Sequence, residues 1–271
     1  TARFILPLSA LVKAPIEVDG DNQIRSRPQH DLLLALNKLG VEIAHNGEMG
    51  HLPLTIDGSN LTVTDISVSG ETSSQYLSAL LLVGPCLPEK ITLTLDGNAV
   101  STRYIQMTVE IMKAFGAQVD SSKPNSYTVH PTGYVGRDYE IEADASTASY
   151  FFAAAAASKG RVVINGIGSN SIQGDLEFVK ILQQMGAQTL VRPNSVEVTG
   201  PTRLDGIDVS MKNISDTAPT LASIAPFASS PVRVTDIGFI QHKESDRVTA
   251  VVTELQKLGI DASIEDDGFV V

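Results

Sequence analysis

Apolar and polar positions along the chain fall into one pattern that recurs four times. Each copy carries a helix rich in Ala and Leu: TARFILPLSALV from Thr1, SSQYLSALLLV from Ser73, STASYFFAAAAA from Ser146 and DTAPTLASIAPFA from Asp216. A short strand follows, such as ITLTLDG (91–97), RVVINGIG (161–168) or VRVTDIG (232–238). Next come a polar loop and an amphipathic helix, MTVEIMKAF in the second copy and LEFVKILQQM in the third. In the former, Met107, Ile111 and Phe115 recur at helical spacing. A glycine ends each of these helices, where a left-handed cap needs a residue without Cβ. The four glycines, Gly40, Gly116, Gly186 and Gly259, stand 76, 70 and 73 residues apart, the regular spacing of a duplicated unit.

Two short strands close each copy, with Pro193-Asn194-Ser195 as the turn between them in the third. A further strand precedes the leading helix: LTVTDISVSG (61–70), YEIEAD (139–144) and GIDVSM (206–211). The unit therefore reads βαβαββ. This predicts an α/β fold of repeated units, with mixed sheets around shared buried helices. The leading helices are apolar nearly all round and are expected inside the domains. At 271 residues the chain exceeds the usual single-domain size, so two domains are expected, 1–141 and 142–271.

Composition narrows the function classes. A formal charge of −11 disfavours a nucleic-acid partner, which would need a basic surface to neutralise phosphates. It leaves room for a small anion, because a few local cations make a positive pocket on an acidic protein. The single cysteine, Cys86, excludes an intramolecular disulfide and any multi-cysteine metal site. The most apolar stretch, Tyr150 to Ser158, is too short to span a bilayer, so no membrane partner is expected. The chain opens on Thr1 inside a helix, without Met or a signal-like region, so this start is not expected to be the natural one.

The candidate chemistry lies in loops that follow strands and open helices. One family precedes the second helix of each copy: IRSRPQH (24–30), AVSTRYIQ (99–106), SNSIQGD (169–175) and QHKESDR (241–247). Another opens the leading helices: SGETSSQY (69–76), DASTASY (144–150) and NISDTAP (213–219). Free backbone N–H groups and the helix dipole make such ends natural anion sites. N-capping accounts for Asp144, Ser146, Thr147 and Ser171, and for Asp246 in the last copy. At Ser73-Ser74-Gln75, two adjacent hydroxyls exceed what one cap requires. Arg27, Lys243 and Arg247 are cations at the positive end of a helix, a placement that an anion bridging them would make favourable. Arg3, near the chain start, reads on its own as a surface cation.

The segments GETSSQYLSALL, NAVSTRYIQMTVEIMKAFG, DASTASYFFAAAA, GSNSIQGDLEFVKILQQMGA, SDTAPTLASIA and HKESDR resemble, in that order, the 5-enolpyruvylshikimate-3-phosphate synthase family across essentially the whole chain. The resemblance implies two domains of βαβαββ units closing over substrates, here incomplete. It implies transfer of the enolpyruvyl group of phosphoenolpyruvate to the 5-hydroxyl of shikimate 3-phosphate, with release of phosphate. Carried over by motif, Ser73, Ser74, Ser101 and Tyr104 would hold the shikimate phosphate, and Gln75 would reach both substrates. Arg27 and Arg247 would hold phosphoenolpyruvate, with Arg3 among the substrate-binding residues. Asp216 would deprotonate the hydroxyl, Lys243 would polarise the reacting centre and Glu244 would protonate the methylene carbon. No metal or organic cofactor is implied, and a cytoplasmic monomer is expected.

Several departures from the family pattern change that picture. The glycine-rich loop before Thr-Ala-Arg, the earlier Lys-Ser segment, the later Asp-His-Arg motif and the final Lys are not in this sequence, so the chain alone is expected to be inactive or very weak. Gln241 stands where Lys or Arg is usual, and Phe239 where many members carry Asn. Three rival readings remain: UDP-N-acetylglucosamine enolpyruvyl transferase, which uses a cysteine in a first-domain loop; a non-catalytic, anion-binding repeat scaffold; and an RNA-processing enzyme of related units, which the charge disfavours.

Overall fold

The computed structural model describes residues 1–70, 73–97, 102–243 and 245–271. The first copy contains α1 (Ala2–Ser9), β1 (Pro15–Val18), a short α2 (Asn22–Arg25) that the sequence did not predict, α3 (His30–Lys38), β2 (Glu42–His45) and β3 (Leu54–Asp57). The second contains β4 (Ile66–Ser69), α4 (Ser74–Val83), β5 (Ile91–Asp96), α5 (Thr102–Ala114), β6 (Val119–Asp120) and β7 (Ser126–Val129). The third contains α6 (Ala145–Ser158), β8 (Arg161–Asn165), α7 (Phe178–Gln184), β9 (Gln188–Arg192) and β10 (Ser195–Thr199). The fourth contains β11 (Asp208–Ser210), α8 (Ala218–Ile224), β12 (Arg233–Thr235), α9 (Arg247–Lys257), β13 (Ser263–Glu265) and β14 (Gly268–Val270).

Copies two and four realise βαβαββ in full, with strand orders β4-β5-β7-β6 and β11-β12-β14-β13. In each, the first two strands pair in parallel and the rest antiparallel. Copies one and three form three-stranded antiparallel sheets, β1-β3-β2 and β8-β10-β9. The two-residue turn Pro193-Asn194 joins β9 to β10, and Ser195 already belongs to the strand. The hinge glycines all take positive φ, at 74°, 86°, 100° and 78°, which explains why glycine recurs there.

Two groups of elements form compact units, Thr1–Asp138 and Tyr139–Val271, each around its own apolar cluster. Helix α4 is buried at every position except Gln75 and Leu82. The expectation of fully enclosed leading helices fails elsewhere. Tyr150 and Phe151 of α6 are 59% and 56% exposed, and Leu8 of α1 is 52% exposed, because each unit covers only part of these helices' apolar circumference. The expected strand YEIEAD does not form either: Ala143 N donates one bond to Gly166 O, and Ile141, on the face that should be covered, is 85% exposed. In α5 the buried stripe is Ile105, Val109 and Met112, while Met107, Ile111 and Phe115 are half-buried. Both stripes satisfy helical spacing, and only the sheet beneath selects between them.

Burial also sets an alkaline limit on stability. Tyr134 is 40% exposed overall, but desolvation at its hydroxyl, which donates to Leu82 O at 2.7 Å, pushes that group up to about 12, with a smaller contribution from Cys86. Burial likewise raises Tyr76 and Tyr127. These groups favour the neutral phenol in the fold, whereas an unfolded chain ionises it near pH 10. Their contribution is therefore complete below about pH 10 and is lost as the pH rises through the folded values. Ultraviolet titration is expected to show late-ionising phenols, and Tyr134→Phe should remove one of them. Titration of every tyrosine near pH 10 in the folded protein would contradict this.

Candidate functional site

In the first unit, parallel pairing brings two helix starts to one edge. The β4–β5 register ends with Ser69 opposite Asp96, so the connections to α4 and α5 leave the sheet at the same end. The two helices then run alongside each other. Thr108 Oγ1 donates to Tyr104 O at 2.8 Å and lies 2.9 Å from Ser78 Oγ. This tie sits one turn beyond Tyr104 on α5 and one turn beyond Ser74 on α4. Ser101 lies outside the described residues.

Ser73 is the N-cap of α4, its Oγ accepting from Gln75 N at 3.2 Å, and Ser74 begins the helix with its side chain buried. Arg3 joins them and is not a surface cation: it is 7% exposed. Its Nη1 donates to Ser73 Oγ at 3.0 Å and to Gln75 Oε1 at 3.2 Å, and Nη2 donates to Pro28 O at 3.3 Å. Its guanidinium carbon stands 4.9 Å from the Tyr76 ring centroid, a cation–π contact. The Tyr76 hydroxyl donates to the same Pro28 carbonyl at 2.8 Å, fixing the backbone beside the half-buried Arg27. Charge from Arg3 and Arg27 reaches the Tyr76 phenol, although burial dominates its shift. Sequence reasoning missed Tyr76 as the anchor of this cluster. An aromatic residue directly after Ser-Ser-Gln in a buried helix was the available signal.

The second unit repeats this logic. Its β11–β12 register ends with Ser210 opposite Thr235, so the turns carrying Asp216 and Lys243 emerge from one sheet edge. Asp216 lies in the tight turn Ser215–Thr217 before α8. Its Oδ1 accepts from Lys243 Nζ at 2.5 Å and from Arg247 Nη1 at 2.8 Å. The three side chains are 29%, 22% and 28% exposed, sheltered yet accessible. Lys243 Nζ also lies 3.4 Å from Ser215 Oγ and 5.8 Å from the Phe239 ring centroid. Asp246 caps α9, accepting from Thr249 N at 3.0 Å. Glu244 lies outside the described residues.

Of the four residues expected to cap, Asp144 does so for α6, accepting from Ser146 N at 2.8 Å and Thr147 N at 3.2 Å. Thr147 stays local, its hydroxyl donating back to Asp144. Ser146 and Ser171 are drawn into tertiary bonds that local spacing cannot reveal, donating to Asp175 and Glu142, while Ser171 Oγ also accepts from Gln173 N at 3.1 Å. Gln173 closes the network, its Oε1 accepting from Ala145 N at 2.8 Å and its Nε2 donating to Ala143 O at 2.7 Å. A buried bond between Ser149 and Thr220, 3.0 Å, then ties α6 to α8 just beyond Asp216.

Both clusters suit anions rather than metals: they combine guanidinium, ammonium, hydroxyl and helix-start N–H donors. Among the described residues, no helix is long and apolar enough to cross a membrane. Cys86 is exposed in the turn that ends α4. The ten-residue helix separates it by about 15 Å from the end that holds Ser73.

The family model for EPSP synthase (3-phosphoshikimate 1-carboxyvinyltransferase) matches residues 1–271. A 3-phosphoshikimate 1-carboxyvinyltransferase of Trichormus variabilis is 40% identical over 271 residues, covering all of this chain and 64% of the relative. A second, from Halalkalibacterium halodurans, is 37% identical over 273 aligned residues, covering 100% of this chain and 61% of its own length. Among solved structures, an EPSP synthase from Acinetobacter baumannii superposes with a TM-score of 0.79 at 24% identity, covering 99% of this chain and 62% of that one. The enolpyruvyl transferase NikO from Streptomyces tendae gives 0.73 at 18% identity, covering 98% and 61%. These two likenesses speak for the fold alone. The chain thus spans a little under two thirds of the length of these relatives.

Proposed function

The chain belongs to the EPSP synthase family over all 271 residues, and from that premise we propose that it carries the central machinery for transferring the enolpyruvyl group of phosphoenolpyruvate to the 5-hydroxyl of shikimate 3-phosphate. Residues 1–141 supply the shikimate 3-phosphate side. Residues 142–271 supply the base and the Lys-Glu-Ser-Asp-Arg loop. The observation that carries this reading is the carboxylate of Asp216 held between Lys243 and Arg247.

Both substrates are polyanions, so donors must offset their repulsion before they can meet. In this reading Ser73, Ser74, Ser101 and Tyr104 bind the shikimate phosphate and Gln75 reaches both substrates. Arg27 and Arg247 bind phosphoenolpyruvate. An anion that draws Lys243 and Arg247 onto itself releases Asp216 to take the proton of the attacking hydroxyl, while Glu244 protonates the methylene carbon. The hydroxyl oxygen bonds to the central carbon of the enol. Phosphate then departs from that carbon as the new methyl group returns a proton, which restores the double bond. Two carboxylates in different surroundings can take these opposite roles. The rival that employs a cysteine is disfavoured by the place of Cys86 at the far end of α4.

Calorimetry on the 271-residue chain tests the reading. Shikimate 3-phosphate is expected to bind saturably and about tenfold or more tighter than shikimate, since charge-assisted bonds to the phosphate supply much of the affinity. Ser73→Ala combined with Ser74→Ala should remove that preference. Absence of binding would instead favour a scaffold.

A further inference from the structure

The bonds around Arg3 set a direction as well as a position. A hydroxyl oxygen has two acceptor sites and one proton. Both acceptor sites of Ser73 Oγ are taken, by Arg3 Nη1 at 3.0 Å and by Gln75 N at 3.2 Å. The only bonding capacity left on that side chain is its O–H donor. The amide of Gln75 is oriented by the same guanidinium. Arginine has five N–H donors and no acceptor, so the amide atom 3.2 Å from Nη1 is Oε1, and the two N–H donors of Nε2 are turned away from Arg3. Ser73 and Gln75 are half-buried, within reach of a ligand, whereas Arg3 is buried beneath them against Tyr76.

We infer that Arg3 is a positioning residue that makes Ser73 and Gln75 obligate hydrogen-bond donors, so that the entrance to α4 accepts only ligands rich in acceptor oxygens. This deepens the proposed function and rests on its assignment of shikimate 3-phosphate to this site. It changes the role expected for Arg3, which acts through its two neighbours rather than on the phosphate. It also separates Arg3 from a generic cation. A lysine would keep the charge but, with a single nitrogen, could not reproduce the fork that serves Ser73, Gln75 and Pro28 together.

The test is a double-mutant cycle on the 271-residue chain, read by calorimetry with shikimate 3-phosphate and by NMR of the Gln75 side-chain amide without ligand. Arg3→Lys and Ser73→Ala are each expected to weaken binding about tenfold, and the double variant to be little weaker than either, because both remove the same oriented donor. The Gln75 amide should be ordered in the parent chain and mobile in Arg3→Lys. Gln75→Glu offers a second variant should Arg3→Lys fold poorly. It preserves the contact with Arg3 but replaces an outward N–H donor with an oxygen, and should weaken binding at least tenfold with no loss of thermal stability. Retention of affinity within twofold in Arg3→Lys, or losses that multiply in the double variant, would overturn the inference while leaving the proposed function standing. If the parent chain binds no shikimate 3-phosphate, the proposed function fails, and the amide decides the inference alone. Ordering that depends on Arg3 would support it, and a mobile amide in the parent would overturn it.

Discussion

Asp216→Asn is expected to move binding and turnover in opposite directions. In the parent chain one carboxylate oxygen lies 2.5 Å from Lys243 Nζ and 2.8 Å from Arg247 Nη1, so the two cations are partly neutralised by the residue between them. Asparagine keeps the shape and removes the negative charge. Lys243 and Arg247 are then more available to an added anion, and inorganic phosphate or phosphoenolpyruvate should bind several-fold tighter. That gain corresponds to about 1 kcal/mol for a partly exposed pair, and raising the salt should shrink it. Loss of a positioned proton acceptor lowers a proton-transfer step by about 10²–10⁴-fold, so enolpyruvyl transfer should fall by that order. Calorimetry with inorganic phosphate on this chain reads the first effect, whether or not the chain turns over. Weaker phosphate binding in Asp216→Asn would mean that Asp216 organises the cations rather than masking them, and would remove the reason for calling it a releasable base.

A large effect on stability is expected at Gly200. This glycine follows β10 and donates its N–H to Gly160 O at 2.8 Å, drawing the strand end onto the last turn of α6. A Cβ there would fall well inside van der Waals contact of the Ala155 carbonyl oxygen and 2.8 Å from that of Ala156. Both are backbone atoms and cannot swing aside as a side-chain tip would. Gly200→Ala is therefore expected to destabilise the second unit by roughly 2–3 kcal/mol, within the range for overpacked sites. Gly58 holds the corresponding place in the first copy, where a Cβ would collide with Ala10 O at the end of α1. Gly136, with nothing within 4 Å of its Cβ position, is the control, and Ala there should change stability by less than about 0.5 kcal/mol. Hydrogen exchange is the discriminating measurement. Gly200→Ala should weaken amide protection in α6 and β10 and leave β4 and β5 unchanged. Equal protection in the parent and Gly200→Ala would refute the close approach.

Features that depend on a few neighbouring residues were readable in advance. The four glycines ended their helices because the left-handed cap is a local requirement, and the capping roles of Asp144 and Asp246 followed from N–H groups two or three residues away. The fourfold repeat was readable for the same reason, since helical and strand periodicities are local patterns. Features that depend on distant partners were not. YEIEAD alternates like a strand, yet it forms none, with Ala143 N donating to Gly166 O just past β8 and Ile141 left in solvent. Ser146 and Ser171 look like caps, but Asp175 and Glu142 bind them from 29 residues away.

Taken alone, the sequence determined the α/β class, the repeat, the candidate residues and the kind of chemistry they suit. Tertiary structure decided which of those residues meet. Arg3 is a surface cation by sequence, because the atoms that bury and bind it lie 25, 70 and 72 positions further along the chain. Asp216 meets Lys243 and Arg247 only because β11 and β12 pair in parallel and end at one level, bringing two turns from either side of α8 to the same sheet edge. Strand register is a property of the folded sheet. It converts residues 27 and 31 positions apart into a single cluster that no window of local sequence contains.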